Sequence, residues 1–196
     1  VKARHALIGF VAMNNPLHIL QTLDRHLTAP AEITLFGRAA LALGYADSPA
    51  TFATTHDVDA ILSLAWLAAE DQNMDFWQAQ QQTNAELESE GLYFTHLFRE
   101  VEVILTPDWL PRRVRLSLKF QRLTVFRPST LDLVLTKMMR GDENDLADIR
   151  FLLQQETVSA DQLRATITRA RVPDVPEIRE LFQAAQPKVL ALAKPH

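Results

Sequence analysis

The segment that most narrows the choice of fold runs from Ile33 to Leu62. Ile33-Thr34-Leu35-Phe36 is short and rich in β-formers, and it stops at Gly37. Ala39-Ala40-Leu41-Ala42-Leu43 then favours a small-residue helix that ends near Gly44. The next residues, 45–55, carry Ala, Ser, Thr and Pro without a period and read as a loop. His56-Asp57-Val58-Asp59-Ala60-Ile61-Leu62 alternates polar and apolar as a strand does. The offset from Gly37 to Asp57 is 20 residues, enough for one helix and a loop that returns the chain to the sheet.

This arrangement has a chemical consequence. On a strand, residues i and i+2 leave from the same face roughly 6–7 Å apart at Cα, so Asp57 and Asp59 can converge on divalent cations. Hard Mg²⁺ takes such oxygen ligands together with substrate phosphates and water. Two such ions about 4 Å apart would activate an attacking oxygen and stabilise a leaving pyrophosphate. Gly37, where a strand turns into a helix, leaves the first helical amides free to face a phosphate. Each feature alone is weak; together they place a phosphate cradle and a metal site in neighbouring elements.

The rest of the chain frames that unit. Asn14 or Asn15 before Pro16 signals a helix start, and Leu17, Leu20, Leu23 and Leu27 follow at helical spacing up to Pro30. Residues 63–90 are helix-prone, with Trp66, Phe76 and Trp77 as core anchors and Trp109 as another. Residues 98–105 read as a strand, Val101, Val103 and Leu105 alternating with Glu100, Glu102 and Ile104, and 115–126 as a strand or hairpin. Ser129-Thr130-Leu131-Asp132 opens a helix through Arg140, Gly141 ends it, and residues 142–155 form the next. Ser159-Ala160-Asp161-Gln162 is a capping box, and a last helix spans about 177–192. The expected fold is therefore α+β: a mixed sheet with flanking helices over 1–128, and a helical region over 129–196 packed on it.

Composition removes several functional classes. Zero Cys among 196 residues excludes a disulfide scaffold, a thiolate metal site and a cysteine nucleophile, and fits a reducing cytoplasm. A net charge of −4 gives no global attraction for nucleic acid or anionic lipid. No apolar run approaches the roughly 18 residues of a membrane span. The basic start, followed by Ala6 to Met13, lacks a cleavage pattern and reads as a first packed element, so a cytoplasmic location is expected.

Leu35-Phe36-Gly37-Arg38-Ala39-Ala40-Leu41-Ala42-Leu43 with Thr55-His56-Asp57-Val58-Asp59-Ala60-Ile61-Leu62 resembles the nucleotidyltransferase superfamily that includes DNA polymerase beta. In that family a strand ends in Gly-Gly or Gly-Ser and the next strand carries Asp-x-Asp. Leu131-Asp132 through Lys137, Arg140 and Gly141, followed by Asn144-Asp145-Leu146-Ala147-Asp148-Ile149, looks like a helical segment of bacterial AbiEii-type and related proteins. The matched motifs are spread over residues 35–153.

The resemblance implies that Asp57 and Asp59 hold Mg²⁺, two ions in the active form, and that Gly37 and its neighbours, with Arg38 supplying phosphate charge, hold the triphosphate of an NTP. It further implies that Lys137, with Arg140 nearby, reaches a phosphate and that Asp145 orients the acceptor or a cation, with Asp148 one turn later. A third carboxylate on a later strand is expected; Glu102 is the candidate, with Glu100 and Asp108 as rivals. An AbiEii-type protein would be a toxin acting on RNA or protein and paired with a cognate partner. The chain departs from the pattern at Arg38, where a small residue is usual, and at Asn144, where Lys or Arg is usual.

Ordinary readings stand beside these. Asp57 and Asp59 can be solvent-facing strand positions, Gly37 a turn glycine, Lys137 a snorkelling side chain, and Arg140, Asp145 and Asp148 helix-start and i,i+3 partners. Arg112, Arg113, Arg115, Lys119, Arg122 and Arg127 form a basic stretch that touches RNA or guards an edge strand. A His-Asp phosphohydrolase needs further histidines, and His18, His26 and His96 have no matching spacing. A serine hydrolase lacks its G-x-S-x-G elbow. The main rival is a non-catalytic module that keeps the fold and binds a nucleotide or a protein. A third carboxylate within about 4–5 Å of the Asp57/Asp59 pair separates the two, and Glu102 facing away counts against catalysis.

Overall fold

Local signals set the first elements. The computed structural model describes residues 14–193, so the element expected over residues 1–13 lies outside them. α1 (Asn15–His26) begins where the Asn14 side-chain oxygen accepts the Leu17 N–H at 3.0 Å, with Pro16 pre-set in the first turn. Its inner face is Ile19, Leu20 and Leu23, with Leu27 closing the end.

β1 (Ala31–Phe36) runs directly into α2 (Gly37–Gly44), and β2 (Asp57–Leu62) returns beside it. The short α3 (Leu64–Leu67) and α4 (Met74–Leu87) then lead to β3 (Tyr93–Arg99). Further on, the stretch expected as a strand or hairpin forms two antiparallel strands, β4 (Val114–Arg115) and β5 (Leu123–Arg127). The sheet has five strands in the order β3-β2-β1-β5-β4. β1 pairs antiparallel with β2 and parallel with β5, and β2 pairs parallel with β3, so the sheet is mixed as expected.

Four helices follow: α5 (Thr130–Lys137), α6 (Glu143–Gln155), α7 (Ala160–Arg169) and α8 (Pro176–Leu190). Ser129, Asp142 and Ser159 cap three of them, each accepting a backbone N–H three residues on. α5 stops at Lys137, short of the expected Arg140. Gly141 takes φ +62° in the tight turn that follows, which a side chain disfavours and which sends α6 back across α5.

One face of the sheet carries the main apolar cluster, which continues from α1 and β1 through Leu133, Val134 and Leu135 of α5 to Phe182 and Val189 of α8. Phe76 is buried there with Trp66 and Trp77 around it in edge-on contacts, centroids 5.2 to 5.6 Å apart. The other face is closed by Val103, Leu105 and Trp109 against Ile61, Phe36 and Phe98.

The strand expected over 98–105 is a correction. β3 starts earlier and ends at Arg99, and Glu100–Glu102 forms a turn of 3₁₀-helix. The physical reason is local: Glu102 accepts the Arg99 N–H at 2.8 Å and its Nε–H at 3.0 Å, a capping box that bends the chain off the sheet. Val103, Ile104 and Leu105 are then all buried, so no alternation survives. Among the described residues no helix is long and apolar enough to cross a membrane.

Candidate active site

The register of β1 against β2 builds the site. Phe36 pairs with Asp59, which sets the start of α2 beside the carboxylate end of β2. Gly37 has φ +61°, and a Cβ there would stand 3.4 Å from Asp59 Oδ2. The left-handed backbone is what calls for glycine here; a Cβ would meet the carboxylate at ordinary contact distance. Asp57 is steadied by Thr55, whose hydroxyl donates to Oδ1 at 2.7 Å.

β3 adds a residue that no sequence spacing singles out. Val58 pairs with Phe94 and Ala60 with Leu97, so two β3 residues, Thr95 and His96, stand opposite Asp59 alone. This is a β-bulge, the device that re-aims a side chain next to a site. His96 sits at φ +46°, a conformation that costs a non-glycine residue about 1–2 kcal/mol. Its Nδ1 lies 3.0 Å from Asp59 Oδ1 and 3.2 Å from the Thr95 hydroxyl. One ligand atom from each of Asp57, Asp59 and His96 falls within 4.8 Å of the others, a constellation that can hold a cation. The available signal was a titratable residue in the β-rich run Leu92-Tyr93-Phe94-Thr95-His96-Leu97-Phe98.

The opposite wall comes from α5 and α6. Buried Lys137 donates from Nζ to Asp148 Oδ2 at 2.7 Å and lies 3.4 Å from Asp145 Oδ1. Arg140 grips Asp145 with two N–H donors, 3.0 Å each, the bidentate geometry of a strong pair. Arg38 reaches Asp148 at 3.7 Å and lies over the Phe52 ring, 5.7 Å from its centroid. Together these walls form a cleft of about 550 Å³ that Gly37, Arg38, Asp57, Asp59, His96, Lys137, Arg140, Asp145 and Asp148 all line, as does Asn144.

Glu102 does not line this cleft. Its carboxylate is held by Arg99, which keeps it below the usual carboxylate range. Of its rivals, Glu100 accepts from the Leu64 N–H and Trp109 Nε1, and Asp108 pairs with Arg169 at 2.7 Å, so both serve the fold. Half of the basic stretch is likewise engaged: Arg112 donates to Asp132, Arg113 lies over Phe126, and Arg127 is buried against Tyr45.

The electrostatics mark Asp59. Burial, reinforced by the charge of Asp57, pushes its carboxyl up to about 6, against the opposing pull of His96 and Lys137. A cation bound between the two carboxylates would relieve that repulsion, so the donor set fits a divalent metal. No curated protein and no solved structure matches the chain. A family model does match, over residues 17–182, most of the chain. On that match, and with a carboxylate pair beside a glycine-started helix, the chain belongs to the family described as nucleotidyltransferases of unknown function (DUF6036).

Proposed function

We propose that the cleft transfers a nucleotidyl group from an NTP to a hydroxyl or phosphate acceptor, with divalent cations, Mg²⁺ in the first instance, held by Asp57 and Asp59. The observation that carries this reading is the Phe36–Asp59 register, which joins the carboxylate pair and the glycine start of α2 in one cleft. A cation there would neutralise charge as the α-phosphate is attacked and pyrophosphate leaves. The chain's own residues bind and orient. The free amides at the start of α2 and the Arg38 guanidinium face the phosphates, because an uncapped helix start favours negative charge. Lys137, fixed by Asp145 and Asp148, and Arg140, fixed by Asp145, present positive charge from the opposite wall. A volume of about 550 Å³ lies within the usual range for pockets that take a small molecule.

The resemblance to AbiEii-type proteins extends the proposal to a cytoplasmic toxin whose acceptor is RNA or protein and which a cognate partner restrains. The test is calorimetric titration with each non-hydrolysable NTP, with and without divalent cation, beside the Asp57→Ala/Asp59→Ala double variant. Cation-dependent binding lost in the double variant supports the reading; no binding of any of the four nucleotides overturns it.

One observation favours a second reading, a nucleotide- or protein-binding module without catalysis. Among the described residues the cluster at Asp57 and Asp59 is completed by His96 and not by a third carboxylate. Nucleotide binding without transfer to any acceptor would support it.

A further inference from the structure

The donor set at the head of the cleft is mixed. Two carboxylates come from β2, and the third ligand atom is an imidazole nitrogen delivered by the β3 bulge. Ligand type discriminates among divalent ions. Mg²⁺ demands near-octahedral oxygen and gives up water reluctantly, whereas imidazole suits borderline first-row ions, whose affinity for nitrogen donors climbs from Mn²⁺ toward Cu²⁺. Glu102, the acid that would make the set all-oxygen, is tied to Arg99 away from the cleft lining. The His96 side chain is 63% exposed, so a cation it holds stays open to water and substrate on one side.

We propose that His96, through Nδ1, completes the cation site of Asp57 and Asp59 in place of a third carboxylate, and that the site thereby prefers a borderline divalent cation such as Mn²⁺ or Co²⁺ to Mg²⁺. The proposal rests on the cleft being the cation site named above. The competing role for His96 is positioning, in which it only hydrogen-bonds Asp59 and fixes its rotamer. The two roles differ in one observable. A positioning residue scales the affinities for all cations together, whereas a ligand changes their ratio.

The experiment measures Mn²⁺ binding to the full chain by the electron paramagnetic resonance signal of free Mn²⁺, and Mg²⁺ affinity by competition. Co²⁺ visible absorption serves as a direct report of the ligand field. The variants are His96→Asp and His96→Asn, chosen because Asp and Asn tolerate positive φ and so keep the bulge. The wild-type chain is expected to favour Mn²⁺ over Mg²⁺ by tenfold or more. His96→Asp is expected to narrow that ratio about tenfold and to move the Co²⁺ band, in line with the about 10- to 100-fold effects seen when groups around a metal are changed. His96→Asn, which loses the nitrogen donor, narrows it too. Equal weakening of Mn²⁺ and Mg²⁺ in both variants, or no change in either, overturns the proposal and leaves the nucleotidyl-transfer reading standing. Retention of full Mn²⁺ affinity in Asp57→Ala/Asp59→Ala puts the cation elsewhere and overturns both.

Discussion

Asp59 is kept in a position that works against the stability of the cation-free fold. Its carboxyl is pushed from the ordinary 3.8 to about 6 by burial and by Asp57, so the folded state holds its proton more tightly than the unfolded chain does. Such a group carries no penalty below about pH 4, where both states are protonated, and its full penalty above about pH 6. Asp59→Asn in chelator is therefore expected to stabilise the protein by the order of 1–3 kcal/mol at pH 7.5, the gain vanishing near pH 4. Urea titrations at the two pH values check it; a destabilised variant at pH 7.5 contradicts the argument. Gly37→Ala carries the opposite sign. It must adopt φ +61°, so a loss of about 1 kcal/mol is expected from the same urea titrations. At this scale the sequence exposed Asp57, Asp59 and Gly37 because spacing within one strand and one turn is local information. His96 was hidden because its approach to Asp59 depends on a bulge between two strands separated by α3 and α4, and no period in either strand records it.

Among the elements, α1 and β5 are tied by one carboxylate. Asp24, almost fully buried, accepts the backbone N–H groups of Gln121, Arg122 and Leu123 at 2.9, 2.8 and 2.8 Å. Burial alone would raise its pKa, but these three donors, helped by the Arg122 charge, hold it below 3.8. A depressed folded pKa gives stability that is present above the unfolded value and lost as pH falls through the folded one. Asp24→Asn is thus expected to cost about 1–3 kcal/mol at pH 7, and the gap from wild type should close below pH 3.8. Denaturant melts of both proteins from pH 7 downward decide it; a gap that does not narrow as pH falls below 3.8 points to lost packing instead of lost charge. Elements were legible where their ends are written in side chains: Asn14, Ser129 and Ser159 cap the helices their sequences announce. The 98–105 strand was not, since apolar alternation is blind to the Arg99–Glu102 capping box that turns the chain off the sheet.

For the molecule as a whole, the cleft joins what the chain order separates. Asp57, Asp59 and His96 come from the sheet, Gly37 from the start of α2, and Lys137, Arg140, Asp145 and Asp148 from α5, the turn after it and α6, while one apolar cluster runs through both parts. Five aspartates line the cleft against three permanent cations, Arg38, Lys137 and Arg140, so it is net negative when His96 is neutral. An NTP is itself strongly anionic, and the walls alone would repel it. Binding is therefore expected to need divalent cation and to stabilise both parts of the chain together. At about 100 times the dissociation constant a ligand adds about 2.7 kcal/mol, which for a chain of this size is a rise in Tm of about 5–11 °C. Calorimetric scans should show one transition that moves by that amount with non-hydrolysable NTP plus Mn²⁺, and hardly at all with NTP in chelator. A shift of equal size in chelator would mean that the protein's own cations hold the phosphates. Two transitions with only the first shifted would mean that α5 and α6 are no part of the site; a single shifted transition requires that the same ligand be gripped from both walls.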